Sequence, residues 1–288
     1  MPPIPDGWSD GYLYANGIRI HYYHAVPAPG KPVILAIHGV MDRGLTWASV
    51  AGKLQGDYDM YMLDARGHGL SDPFTGSEDG STLVKEVMAA AQVLGLHRPI
   101  LMGHSMGGAT VIRLGAEYPD FAKAIIVVDA GIGAPGRPTS GTPRNPPSTS
   151  SDRMPVTMRG SPEALVAQNN YRFDDLVAKA HRENPRWSMM DCQYWAVAIK
   201  RYHGPYSDKE WEAISGTMKS QDALAKIPVP MIILKADAPP EVRKVQQEQA
   251  SVMQHGKMVT IDNSAHNVQR DQPERAAQVI REFLSTLR

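Results

Sequence analysis

Six short apolar runs punctuate the chain at residues 32–37, 58–63, 100–104, 124–128, 228–235 and 257–261. That at 32–37 is continuous rather than alternating and is bounded by turn residues, the pattern of a strand covered on both faces; 58–63 and 228–235 read as further buried strands and 257–261 as the last strand. Helical spacing fills most of the gaps: residues 46–55, 82–96, 108–117, 241–254 and 273–287. In 82–96, Leu83, Val84, Val87, Met88, Ala91 and Leu94 share one face, which predicts a helix lying on a core. Ahead of these units, residues 11–25 alternate around Asn16-Gly17, the preferred two-residue hairpin turn, so two antiparallel strands open the fold. Strand and helix then alternate. This predicts an α/β fold with a mainly parallel, doubly wound sheet whose ligand crevice lies at the carboxyl ends of the strands.

The pattern breaks at residue 131. From 131 to 155 the chain is dense in Gly, Pro, Ser and Thr, a composition that forms loops. Helical patterns follow at 161–183, with Ser161-Pro162 as a start signal, at 186–202, and at 207–215, where Ser207 to Glu210 reads as a capping box. Residues 1–130 and 226–288 therefore form one core, and 131–225 is expected to be an inserted helical cap with a Pro/Gly/Ser-rich leading loop. The cap holds Trp187, Trp195, Trp211, Tyr171, Phe173, Tyr194, Met154, Met158, Met189 and Met190, in a chain with only 5 Trp and 4 Phe. Some of these build the cap's own small core, but a lid must also turn one face to the substrate, which points to an apolar, partly aromatic pocket. Met41, Trp187, Trp195 and Met189 are its candidate lining. Arg159, Arg172 and Arg201 are expected to be solvated.

Charge adds exclusions. With 30 Lys+Arg against 30 Asp+Glu the formal net charge is zero, so no field favours nucleic acid or an anionic membrane, and a small-molecule substrate is the expected partner. A single cysteine, Cys192, rules out an intrachain disulfide and a cysteine-based metal cluster. No leader-like start and no apolar run of about 20 residues is present, so a cytoplasmic protein is expected.

The chemistry centres on Ile100 to Ala109, I-L-M-G-H-S-M-G-G-A. Gly103-His104-Ser105-Met106-Gly107 matches G-x-S-x-G with a strand before it and a helix after it, the context that makes this motif a nucleophile turn. Gly103, Gly107 and Gly108 remove the Cβ atoms that would collide across so sharp a corner. Ser105 then stands at a helix N-terminus, where free N–H groups and the helix dipole favour developing negative charge.

Together with its flanks, this segment resembles the α/β-hydrolase family over nearly the whole chain. His38-Gly39 after a buried strand is similar to the family's oxyanion loop, Asp64-Ala65-Arg66-Gly67-His68-Gly69-Leu70-Ser71 to its D-x-R-G-x-G-x-S turn, and Ala265-His266 to its histidine loop. The resemblance implies an α/β-hydrolase fold with an inserted cap and oxyanion donors at the backbone N–H groups of Val40 and Met106. It implies Ser105 as nucleophile and His266 as base, with His38 and His68 structural, because the triad members run in the order Ser, acid, His. For the acid, two carboxylates compete. Asp237, in the turn after the strand that follows the cap, occupies the commoner position, although the usual Gly-x-x-Asp turn is absent. Asp129, at the end of the strand after the nucleophile's helix, is the alternative.

The expected reaction is attack of Ser105 on a carbonyl carbon, with an acyl-enzyme hydrolysed by water and no metal or organic cofactor. Family members that open epoxides or displace halide carry a nucleophilic Asp where this chain has Ser105, so those reactions are not expected. A carboxylic ester or lactone of a small, largely apolar substrate is the first expectation. C–C, amide and perhydrolase chemistry use the same triad, and a hydrolase-like small-molecule receptor is the alternative outside catalysis.

Overall fold

The computed structural model describes residues 2–132, 167, 170–206 and 220–287. Its centre is one eight-stranded sheet in the order β1-β2-β4-β3-β5-β6-β7-β8. The strands are β1 (Ser9–Ala15), β2 (Ile18–His24), β3 (Val33–Ile37), β4 (Asp59–Leu63), β5 (Ile100–His104), β6 (Ala124–Val128), β7 (Met231–Ala236) and β8 (Gly256–Ile261). The first two form the expected hairpin, antiparallel with Ala15 opposite Ile18. Asn16 and Gly17 both have positive φ, 50° and 78°, as a type I′ turn requires. β2 pairs antiparallel with β4, and every pairing from β4 to β8 is parallel.

Period-two alternation along the central strands divides the core between the two faces. Ile34 and Ala36 of β3, Ile126 and Val128 of β6 and Ile232 and Leu234 of β7 pack with helix α1 (Ala48–Leu54) and the last helix, α9 (Pro273–Ser285). Leu35, Ile37, Ile125, Val127 and Ile233 face the other way, against α2 (Thr82–Val93) and α3 (Met106–Glu117). Both faces are thus dry, which is why these strands read as unbroken apolar runs. Each fully buried aliphatic side chain contributes roughly 1.5–3 kcal/mol of transfer free energy.

Between β6 and β7 the described residues include α4 (Phe173–Glu183), α5 (Met189–Lys200) and the short α6 (Ser220–Leu224). After β7 come α7 (Pro240–Ala250) and the single turn α8 (Val268–Asp271). Residues 133–166 and 207–219 lie outside the described set, and with them Met154, Met158, Arg159, Trp211, the start signal at Ser161-Pro162 and the capping box at Ser207 to Glu210. Within the pattern at 161–183, Ala167 and Asn170 are helical and a continuous described helix runs from Phe173; in that at 186–202 the helix starts at Met189. The later start of α5 has a local cause: Ser188 caps it, its Oγ accepting the Asp191 N–H at 3.1 Å and donating to Asp191 Oδ2 at 2.6 Å. Ser49 Oγ of α1 donates to the same carboxylate oxygen at 2.6 Å, tying α5 to the core.

Candidate active site

At the end of β5 the chain turns abruptly into α3, and Ser105 is the corner, with φ 50° and ψ −111°. A positive φ on a residue with a Cβ costs on the order of 1–3 kcal/mol and persists only where the surroundings enforce it. They do so here through backbone bonds: Ser105 N–H to Val128 O at 3.0 Å, Gly107 N–H to His38 O at 3.1 Å and Ala109 N–H to Ser105 O at 2.9 Å. A Cβ on Gly103 would stand 2.3 Å from Gly107 O, and one on Gly107 would stand 2.2 Å from Ile37 O. The glycines are there because three backbone segments meet at the corner.

The segment after β3 lies against this corner. His38 is buried with both ring nitrogens committed to backbone: Nδ1–H donates to Gly39 O at 2.7 Å, and Nε2 accepts the Ala65 N–H at 3.0 Å. Asp42 N–H closes the loop on Gly39 O at 3.2 Å. Among the described residues neither the Val40 N–H nor the Met106 N–H has an acceptor, so both donors remain available beside Ser105.

His266 reaches the same place from the loop after β8. The buried His104, next to the serine, donates from Nε2 to the His266 carbonyl at 2.9 Å, and the two rings lie 4.7 Å apart. His266 Nδ1–H donates to Asp129 Oδ2 at 2.7 Å. That bond fixes the tautomer and leaves Nε2 as a bare lone pair. The imidazole is 45% exposed, and neither its Nε2 nor the Ser105 hydroxyl has a hydrogen-bond partner among the described residues. Catalytic hydrogen bonds of this kind often tighten only around a substrate.

The two candidate acids separate cleanly. Asp129, with φ 42°, is buried in the step beyond Val128, which pairs with His104. Its Oδ1 accepts from Lys235 Nζ at 2.6 Å and from Ala236 N–H at 3.1 Å, while Oδ2 takes His266. Burial alone would raise its pKa, but the His266 hydrogen bond and the Lys235 charge overcome that and hold the carboxyl well below the usual range. Asp237 does not contact His266. Its side chain is 36% exposed and accepts from Arg243 and from the Asn263 N–H at 2.8 Å. The expectation that placed Asp237 behind the histidine is corrected on geometry: the turn after β7 sends its carboxylate outward, along the sheet edge.

Three residues of this neighbourhood carry no motif. Arg270 is buried and bidentate to Asp42, at 3.1 Å to each oxygen. Its guanidinium lies 4.1 Å over the Trp187 ring. Asp271 accepts from Trp187 Nε1–H at 2.9 Å and from the Ala265 N–H at 2.7 Å. The oxyanion-side loop, the histidine loop and the start of α5 are thereby joined. Lys235 is the third, and the sequence did signal it: a lone charge in an otherwise apolar strand covered on both faces must have a buried partner.

The nominated pocket lining divides in two. Trp187 is only 4% exposed, packs with Ala180 and Cys192, and spends its N–H on Asp271, so it is an anchor of the helix pair rather than a wall. Met189 is 51% exposed on the outer surface of α5 and belongs to no core cluster. Met41, with φ 60°, and Trp195 are half-buried together against Leu176, Ala196 and Ile199 of α4 and α5. Among the described residues no group of His, Cys, Asp or Glu could hold a metal ion, and no helix is long and apolar enough to cross a membrane.

A model of the alpha/beta hydrolase family matches residues 33–279. Over 298 aligned positions the chain is 23% identical to Epoxide hydrolase 1 of Caenorhabditis elegans, a match covering 99% of this chain and 72% of that protein. Over 128 positions it is 36% identical to N-formylmaleamate deformylase of Pseudomonas putida, covering 44% of this chain and 47% of the deformylase. The solved naproxen esterase of Bacillus subtilis superposes with a TM-score of 0.71 at 12% identity, over 97% of this chain and 92% of that one. With the sheet order, the strained serine corner and a family match running from β3 into the last helix, the chain belongs to the alpha/beta hydrolase family and is a hydrolase.

Proposed function

We propose that this enzyme is a serine hydrolase that cleaves a carboxylic ester or lactone of a small, largely apolar substrate through an acyl-enzyme. Ser105 Oγ attacks the carbonyl carbon as His266 Nε2 takes its proton, Asp129 holds the tautomer and stabilises the imidazolium, and the N–H groups of Val40 and Met106 receive the oxyanion. His266 then returns the proton to the leaving oxygen and activates water for deacylation. The observation that carries this reading is the 2.7 Å bond from His266 Nδ1–H to a buried carboxylate, beside a serine held at positive φ at the end of its strand. Ser105 in the nucleophile position argues against epoxide opening, which in the family resemblance requires an aspartate there. Cleavage of a small amide is the second reading, favoured by the 36% identity to the deformylase over 128 residues.

Residues 131–225 are assigned as a helical cap over the site, a reading supported by the packing of Met41 against α4 and α5. A small-molecule substrate, with neither nucleic acid nor membrane as partner, and a cytoplasmic setting suit the balanced charge and the lone buried Cys192.

Hydrolysis of p-nitrophenyl acetate and butyrate, set against release of formate from small N-formyl amides, tests the bond cleaved. Ser105→Ala is expected to abolish turnover and organophosphonate labelling while leaving the unfolding midpoint unchanged or higher, since one oxygen is lost from a strained turn. Labelling that persists at another serine would remove Ser105 from the mechanism, and binding without turnover in the wild type would make the protein a receptor. Trp195→Ala is expected to alter the ratio of kcat/KM between butyrate and acetate esters more than it alters acetate hydrolysis. A common factor on both substrates would assign Trp195 to the packing between helices.

A further inference from the structure

The carboxylate beside His266 is shared with a buried cation. Lys235 lies at the carboxyl end of β7, between β6 and β8, with its side chain 1% exposed, and its ammonium lies 2.6 Å from Asp129 Oδ1 and 3.1 Å from the Ala130 carbonyl. A buried lysine costs several kcal/mol of desolvation unless paired, and an apolar residue of similar volume would pack this strand as well. Asp129 Oδ1 already has the Ala236 N–H at 3.1 Å, so a hydrogen-bonding donor is not lacking there. What Lys235 adds is a unit charge, on the opposite side of the carboxylate from His266.

We propose that Lys235 is a positioning residue for the catalytic base, holding Asp129 so that Oδ2 faces His266 and offsetting the carboxylate's charge toward the imidazole. This rests on the triad reading above. A carboxylate with no other partner favours imidazolium strongly; one already paired with an ammonium favours it less, because the protonated histidine would be the second cation on one anion. The other groups around the base are these: on the nucleophile side the buried His104, kept below the ordinary histidine range by burial; beyond it Asp42 and Arg270; behind the loop Asp271 on the Ala265 N–H; and at the surface Asp237 with Arg243. None of them touches Asp129, so a substitution at Lys235 changes the contact in question together with the one to the Ala130 carbonyl.

Two substitutions separate placement from charge. Lys235→Gln keeps a donor toward Asp129 and removes the charge; Lys235→Met removes both. With p-nitrophenyl acetate, both are expected to move the acidic limb of the kcat/KM profile upward by about 1 pH unit, the size of effect one adjacent charge exerts. Lys235→Gln should hold kcat on the plateau within about tenfold, Lys235→Met should lower it further, and Lys235→Arg should restore the limb. A limb that stays within 0.3 unit (about a twofold effect) of wild type in folded Lys235→Gln overturns the proposal. Recovery of both neutral variants only as unfolded chain overturns it too, since Lys235 would then serve the fold alone. Asp129→Asn keeps the two readings apart. If it retains full activity the triad reading fails, whereas if it is inactive and the limb of Lys235→Gln is unmoved, only the role of Lys235 fails.

Discussion

Asp129→Asn is expected to reduce kcat by up to ~10⁴ per folded molecule, while Asp237→Asn costs less than about tenfold. The asymmetry follows from what each carboxylate touches. An amide at position 129 can turn its NH2 toward His266 Nδ1, which forces the imidazole proton onto Nε2 and removes the lone pair that must take the serine proton. It also leaves the Lys235 ammonium buried without its counter-ion, so a lower unfolding midpoint accompanies the kinetic loss. Asp237→Asn loses an exposed ion pair with Arg243, a contact worth less than about 1 kcal/mol, and keeps an oxygen for the Asn263 N–H. Steady-state kinetics on both variants, normalised to the folded fraction by denaturant titration, decides the matter. Near-wild-type kcat in Asp129→Asn would end the assignment of Asp129 as the acid.

Arg270→Met is expected to destabilise the protein by about 3–5 kcal/mol, because it strands the buried Asp42 carboxylate and strips the cation from the Trp187 ring. At roughly 2–4 °C per kcal/mol for a chain of this size, the unfolding midpoint should fall by about 10 °C. The effect carries a pH signature. Burial pushes the Asp42 pKa up, but Arg270, with His104 and His38 beyond it, more than reverses this and holds it at about 2 against an ordinary 3.8. Because the folded pKa is depressed, this stabilisation is fully present above about pH 4 and is lost as pH falls through about 2. The stability gap between wild type and Arg270→Met, from urea titrations at successive pH values, should be constant near neutrality and narrow below pH 4. A gap that is the same at pH 3 and pH 7 would mean that the loss is one of packing and not of charge pairing.

Asp42 lies two residues beyond Val40, and Asp271 holds the residue before His266, so the Arg270–Trp187–Asp271 group connects the segment after β3 and the loop after β8 to the start of α5.

The sequence by itself determined the sheet and the serine corner. β3 to β7 are legible because a strand covered on both faces is built mostly of apolar residues, and the hairpin is legible because two successive residues at positive φ favour Asn-Gly. The corner at Ser105 is legible because backbone segments closing to within 2.2–2.3 Å of a would-be Cβ admit only glycine, which leaves a spaced glycine pattern in the chain. These are all constraints between near neighbours, or between a residue and its generic surroundings. The partner of His266 is a different kind of fact. Asp129 lies 137 residues away, and whether it or Asp237 reaches the ring depends on the direction each chain takes on leaving its strand, β6 inward at φ 42° and β7 outward toward Arg243. The same holds for Trp187, whose composition marks it equally well as pocket wall or anchor; only a carboxylate 84 residues on, placed by α8, makes it an anchor. Lys235 sits between the two cases. Its isolation in an apolar strand requires some buried anion, since an unpaired charge there is too costly, but the identity of that anion is a matter of register between β6 and β7, which no local pattern encodes.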